Sequence, residues 1–510
     1  MKNWKLFLLT LWLFLLIFPV LLGVKMNNDE YTFSGLIFNP IDGYSYYAKM
    51  QQGLSGNWTF QLPYSPFENE KIIIFTLYLF LGNLSRLTGL TLPFIYHFFR
   101  IAFAILFFFS FSALLQSIFK KEDKFFKGAF ISILFGGGLG WIYFLFGDLP
   151  ADFWLAEAYG FLSAFSNLHF ILSLLIMTTL AGFVVRKSNR FSIRVLIIMF
   201  GLILVNISPF AAVVMGFVFG VNFFIDRSGF KENLVNLILF CIPVGVIGGY
   251  QLISINNDPY LKIWNIQNLT PSPSVINLIF SFSPLLIGIV ILLILLSRKK
   301  IAIQKPIYLF ISWIAFAIIM AYIPVNLQRR FLVGFYIPLA IVFWYLIKIY
   351  SENFQSNKLN FWIPLLIAIS LPSNLILYLG STQAIKNYDP IFYQKNTFLE
   401  ASKWMVNNLR SQSVVLTDED YGLKLPANGY FQVVYGHPFE SINAVETREL
   451  IEEFWDGRMS SSEAAAFIHE ENVDYILCDT ESNTIICPEI TGSYKTIYDE
   501  SGIKIFQVIN

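Results

Sequence analysis

From Leu6 to Leu379 the chain is a string of long apolar runs whose connections follow a charge rule, and few folds satisfy it. A spanning helix needs roughly 20 mainly apolar residues. Runs of that length are Leu6–Val24, Phe94–Phe119, Gly128–Phe146, Leu168–Val185, Leu234–Ile253, Val275–Leu296, Ile307–Ile323, Phe331–Ile349 and Phe361–Leu379. Alternate connections are rich in Lys and Arg. They carry Lys120, Lys121, Lys124 and Lys127, then Arg186, Lys187, Arg190 and Arg194, then Arg227 and Lys231, then Arg298, Lys299, Lys300 and Lys305, and last Lys348 and Lys358. Positive residues mark the cytoplasmic side, so Lys2 and Lys5 place the N-terminus there as well. The loop after Phe146 lies on the other side, with Asp148, Asp152 and Glu157 and no basic residue.

Two places need separate treatment. Asn206-Ile207-Ser208-Pro209 interrupts the stretch Val195–Ile225, and proline disfavours helix before it. The stretch therefore reads as two short helices entering and leaving on one face, which irregular backbone allows only inside protein or beside a cavity. Ile72–Leu90 must be a partial or interfacial element, since a span there would invert every later loop. The expectation is an α-helical polytopic membrane protein of about 11 transmembrane helices in residues 1–382, with a first outer loop at 25–71. Beyond it, 383–510 alternates amphipathic helices (Thr397–Leu409, Ala444–Trp455, Ser461–Glu470) with short strands (Val414–Leu416, Phe431–Val434, Tyr475–Leu477, Lys504–Val508). That alternation predicts a small extracytoplasmic α/β domain.

Composition argues against other classes. With 56% hydrophobic residues and 14% charged, the chain does not read as a purely soluble globular protein. A net charge of +1 leaves no basic stripe for nucleic acid. Three cysteines give no metal spacing; Cys478 and Cys487 are either a bridge or two free thiols. No P-loop, nucleophile elbow or zinc motif is present.

Charged residues on the outer side are the candidates for chemistry. Arg329-Arg330 is the chief break in the charge rule past the first outer loop, itself mixed with Lys25, Lys49, Lys71 and Arg86. An arginine pair there implies a bound anion, or interfacial anchors that snorkel to headgroups. Asp42, after Asn39-Pro40, is either the N-cap of a surface helix over Tyr44–Leu54 or an acid poised at the membrane surface. His97 and Arg100, one helical turn apart, could reach the same phosphate or form a structural pair. Asp152 is the choice among the acids of its loop, and His169 reads as an interfacial hydrogen-bonded histidine. Asp418-Glu419-Asp420 and Tyr435-Gly436-His437-Pro438 follow strands, where turn residues of this kind are ordinary. Gly136-Gly137-Gly138 lies within a run and reads as close helix packing.

Asp42-Gly43-Tyr44-Ser45-Tyr46-Tyr47-Ala48 in the first outer loop resembles the signature of C-superfamily (GT-C type) membrane glycosyltransferases, which take a sugar from a polyprenyl-phosphate carrier. Many members carry a second acid where this chain has Gly43, and no Trp-Trp-Asp motif is seen in the C-terminal segment. The resemblance implies a plasma-membrane enzyme of the cell envelope, with Asp42 as general base and Arg329, Arg330, His97, Arg100, Tyr46, Asp152 and His169 around donor and acceptor. It implies inverting transfer to a glycan, lipid or protein acceptor. It leaves open a divalent metal (Mg or Mn) and requires Asp42 and the arginine pair to line one outer cavity. Two other classes fit the same residues: a transporter or flippase of lipid-linked glycans, and a non-catalytic membrane assembly factor.

Overall fold

The structure, a computed structural model, describes residues 2–119, 121–298, 303–354, 359–480 and 494–509. Compactness divides the chain into two units, Met1–Pro19 with His97–Gly249 and Thr270–Gln383, and Val20–Tyr96 with Tyr250–Leu269 and Ala384–Asn510. This grouping cuts across the boundary expected at 382/383, because the first-loop residues cluster with the C-terminal segment.

The chain is mostly helical and multi-pass. Five helices among the described residues are long and apolar enough to cross a membrane, or six if the bent pair Val275–Phe282 and Leu285–Arg298 counts as one span. Three more, Phe191–Ile207, Pro209–Ile225 and Lys305–Ala321, are apolar but shorter. The expected count of about 11 is thus not reached by unbroken helices, and the breaks have local causes. Pro209 starts its helix directly after Ser208, and the two flanking helices pack on each other. The Val275–Leu296 run bends by 85° at Ser283-Pro284. The Gly128–Phe146 run divides into helices Lys124–Phe135 and Gly140–Phe144, so Gly136–Gly138 is the break itself; it is also closely packed, since a Cβ on Gly138 would collide with the Ser281 carbonyl oxygen. Asp123 caps the first of these through the N–H groups of Phe125 and Phe126.

In the second unit, strand β1 (Tyr31–Phe33) pairs antiparallel with β2 (Tyr393–Lys395), across some 360 residues of sequence. Two of the expected strands carry their expected starts and two shift by a residue: β3 Val414–Leu416, β4 Gln432–Val433, β5 Tyr475–Asp479 and, after an unexpected β6 (Tyr494–Glu500), β7 Ile503–Val508. The sheet order is β4-β3-β5-β7-β6, with β3 parallel to β4 and β5 and the β7 pairings antiparallel. Helices Ala444–Trp455 and Ser461–Glu470 match their expected ranges, the latter through a capping box of Ser460 and Glu463. Ile451, Phe454, Trp455 and Phe467 close the core over Leu416, Ile476 and Phe506. Cys478 is buried on β5, Cys487 lies outside the described residues, and Cys241 is a free thiol.

Ile72–Leu90 contains helix Thr76–Thr88, whose 13 residues reach only about 20 Å, too short to cross a hydrocarbon core. Its buried face carries Tyr78, Leu79, Leu81 and Gly82, while Leu87 is 83% exposed. This helix packs on Pro40–Leu54 at glycine distance. A Cβ on Gly82 would meet the Met50 carbonyl oxygen, and one on Gly53 the Leu79 carbonyl oxygen, both closer than the 3.0 Å that real Cβ atoms respect. Backbone cannot yield as a side-chain tip can, so Gly82→Ala should push the helices apart at a cost of about 1–3 kcal/mol. A lowered thermal midpoint of the full chain would register it; an unchanged midpoint would mean the contact is slack.

Candidate functional site

Asp42 stands in the first turn of helix Pro40–Leu54, and its local role differs from the cap that sequence suggests. The N-cap is Asn39, in the left-handed region with φ 47°, and Pro40 fills the first helical position. The Asp42 carboxylate sits instead where the helix N-terminus favours negative charge, and Asn39 Nδ2 donates to its Oδ2 at 2.5 Å. The side chain remains 36% exposed, enough to meet a substrate.

A second partner comes from the C-terminal segment. His437 is buried, and its Nε2 lies 3.4 Å from Asp42 Oδ1. Three residues on, Glu440 meets the same helix. Lys49 Nζ donates to both Glu440 oxygens at 2.8 and 3.0 Å, Ser45 Oγ donates to Glu440 Oε1 at 2.6 Å, and Lys49 also donates to Ser45 Oγ at 2.5 Å. Positions 42, 45 and 49 follow helical spacing, so one helix face gathers all three. Lys49 is fully buried over the ring of Phe75, 4.4 Å from its centroid. Tyr46, on the same helix, stacks on Tyr78 with centroids 4.5 Å apart.

Burial pushes the Glu440 carboxyl up, but the Lys49 ammonium and the bonds from Lys49 and Ser45 hold it below its ordinary 4.5. A depressed carboxyl contributes stability that is present above pH 4.5 and lost as pH falls through the lowered value. Thermal midpoints of the full chain should therefore fall on acidification below 4.5, and Glu440→Gln should flatten that limb. Equal slopes in wild type and variant would remove Glu440 as the cause.

The other candidates belong to the first unit. Asp152 is fully buried on the short helix Ala151–Trp154, and its Oδ2 accepts from Gly138 and Gly140 N–H at 2.9 and 3.3 Å. Burial lifts its carboxyl to about 6, against the Ser373 hydroxyl and those two N–H groups. The glycine run thus serves as a cradle for an acid. Arg329 and Arg330 lie half-buried on the turn Gln328–Leu332. The Arg329 guanidinium rests over the Trp154 ring at 4.9 Å. Arg100 is fully buried, donating to the carbonyls of Ala164, Phe165 and Leu16 and, through Nε, to His97 Nδ1 at 3.2 Å. Those carbonyls account for Arg100 as a residue that ties backbone segments together. His169 opens helix Leu168–Val185, buried against Phe170.

Lys49, Glu440 and His437 gather around the Asp42-bearing helix, a grouping that sequence reasoning misses. In sequence Lys49 reads only as a loop charge and His437 as a turn residue. The one available signal is their chemistry, since nothing in sequence joins position 49 to position 440.

No family model matches the sequence, and no curated protein does. The fold is similar to that of solved GT-C-type membrane glycosyltransferases. Two of the similar solved structures are of the Archaeoglobus fulgidus oligosaccharyltransferase. The complex with Zn and sulfate has a TM-score of 0.51 at 14% identity, covering 92% of this chain and 68% of that one. The complex with an inhibitory peptide and a dolichol-phosphate has a TM-score of 0.50 at 12% identity, covering 94% and 70%. ArnT from Cupriavidus metallidurans bound to undecaprenyl phosphate overlaps at 0.49 with 11% identity, covering 98% and 97%. At identities this low the two oligosaccharyltransferase structures show a likeness of fold alone.

Proposed function

We propose that the chain is a membrane glycosyltransferase that moves a sugar from a polyprenyl-phosphate carrier to an acceptor hydroxyl, with Asp42 as general base. The observation that carries this is an accessible carboxylate on the first turn of the Pro40–Leu54 helix in a chain with the GT-C fold. Asp42 takes the acceptor proton as the acceptor oxygen attacks the anomeric carbon. The bond from that carbon to the phosphate oxygen breaks, polyprenyl phosphate leaves, and the anomeric configuration inverts. The leaving phosphate needs cationic stabilisation. Arg329 and Arg330 fit that need chemically, since guanidinium presents a planar fork to phosphate oxygens. The dolichol-phosphate bound by the archaeal protein of like fold is consistent with such a donor.

That same protein was also solved with Zn. Here, among the described residues, no group of three or more His, Cys, Asp or Glu is placed to hold a metal. Asp42 and the His437 Nε2 are two donors where an ion takes at least four, waters included, so the residues present do not make a metal site and no step is routed through one.

Purified full-length protein in vesicles, given undecaprenyl- or dolichol-phosphate hexoses and a mixed glycan, lipid and peptide acceptor pool, should release polyprenyl phosphate. Translocation of the lipid-linked sugar with that bond intact would identify a flippase instead. Arg329→Gln with Arg330→Gln should weaken inhibition by added polyprenyl phosphate about tenfold or more; unaltered inhibition would assign the pair to anchoring.

A further inference from the structure

We infer that His437 is a positioning residue for Asp42, delivered by a turn of the C-terminal segment that is locked for this purpose. The inference rests on Asp42 being the base and adds a residue to that same site.

The turn Tyr435–Ser441 satisfies its own backbone with its own side chains. Ser441 Oγ accepts the N–H groups of Gly436 and His437, each at 3.1 Å. His437 Nδ1 accepts the N–H groups of Phe439 and Glu440 at 3.1 and 3.2 Å. A ring nitrogen that accepts cannot carry the proton, so the neutral imidazole holds its hydrogen on Nε2. Nε2 is buried, and among the described residues no acceptor completes a hydrogen bond to it. It faces Asp42 Oδ1 across 3.4 Å, a length that catalytic contacts commonly show before substrate closes the site. The turn cannot rotate the ring away. Gly422 and Gly436 bring two backbones together so closely that a Cβ on Gly422 would collide with the Tyr435 carbonyl oxygen. On the other side Glu440 is held by Lys49 and Ser45, from the helix that bears Asp42. Tyr64 covers the imidazole, with ring centroids 5.6 Å apart.

Two groups therefore leave the turn toward that helix: the Glu440 carboxylate, which fastens it, and the Nε2–H, which meets the Asp42 carboxylate. Asn39 approaches Oδ2 and His437 approaches Oδ1. Once the Nε2–H closes onto Oδ1, a donor from each side holds the plane of the carboxylate toward an incoming acceptor group. A neutral donor suits this task, because it orients the base while leaving it basic.

Glutamine and asparagine at this position separate the role from a structural one. In His437→Gln the new side-chain amide nitrogen can take the place of Nε2–H. In His437→Asn the shorter side chain can only mimic Nδ1 and keep the turn. For the full-length protein with the polyprenyl-phosphate hexose that the wild type turns over, His437→Asn should lower kcat about 10–100-fold with KM for the donor unchanged. His437→Gln should stay within about threefold of wild type. If His437→Asn matches wild type, or if KM alone moves, the histidine merely builds the turn and the inference fails. Asp42→Asn, run in parallel, keeps the two readings apart: its full activity would sink the base itself, whatever His437 does. A readout independent of turnover is the 15N spectrum of histidine-labelled protein. An unprotonated Nδ1 and an Nε2–H signal that moves in Asp42→Asn are expected; a protonated Nδ1, or a signal indifferent to that change, would overturn the assignment.

Discussion

Asp42→Asn should reduce turnover by about 10²–10⁴-fold, the range that a positioned general base supplies, while leaving the chain folded. The substitution is nearly isosteric. The asparagine oxygen can still accept from Asn39 Nδ2 or from His437 Nε2, and the loss of first-turn charge costs about 0.3–1 kcal/mol. What disappears is the basic lone pair that would take the acceptor proton. The change should fall on kcat more than on KM for the lipid-linked donor, because the lost interaction exists only as the proton moves. Polyprenyl phosphate release, followed in vesicles against wild type, measures it. Turnover within a few fold of wild type would mean that another group takes the proton, and the transfer chemistry proposed at this helix would have to be abandoned.

Lys49→Met should destabilise the protein by about 3–5 kcal/mol, because it strands a carboxylate inside the fold. Glu440 would keep Ser45 as a donor but lose both bonds to Lys49 Nζ. A buried charge deprived of its counter-ion costs more than the pair contributes, so the second half of the prediction is restoration. Lys49→Met combined with Glu440→Leu should recover most of the loss, since apolar replacement of both partners is often neutral. Thermal midpoints of the two single variants and the double variant close the cycle. Additive losses would show that the two side chains stabilise the fold independently. Exposed pairs such as Arg458 with Asp456 should show little in the same assay.

Much of the architecture is legible because apolar length and charge sidedness are local properties. Leu168–Val185 is a helix with the limits its composition suggests, and Ala444–Trp455 likewise follows from its own periodicity. The breaks are harder. Gly136–Gly138 reads from sequence as close packing inside a run, and the interruption shows only in the structure, where Asp152 accepts N–H groups from Gly138 and Gly140. Strand β1 cannot be read at all, since Tyr31–Phe33 is three residues long and its partner β2 lies far along the chain. Of the site, Asp42 is visible through the Tyr-Tyr-Ala helix that contains it, although the cap proves to be Asn39. His437 escapes for a physical reason: a histidine after a strand is ordinary, and only the two N–H groups on its Nδ1 make it directional.

The β1–β2 ladder has a consequence for biogenesis. Thr32 bonds to Asn396, and Lys49 to Glu440, across 364 and 391 residues. At translation rates of about 5–20 residues per second, the early segment waits roughly 20–80 s for its mates to be synthesised. Through that interval the lysine lacks its glutamate and the strand has an open edge. Ribosome-bound nascent chains cut short before position 393 should thus be protease-sensitive between residues 25 and 71.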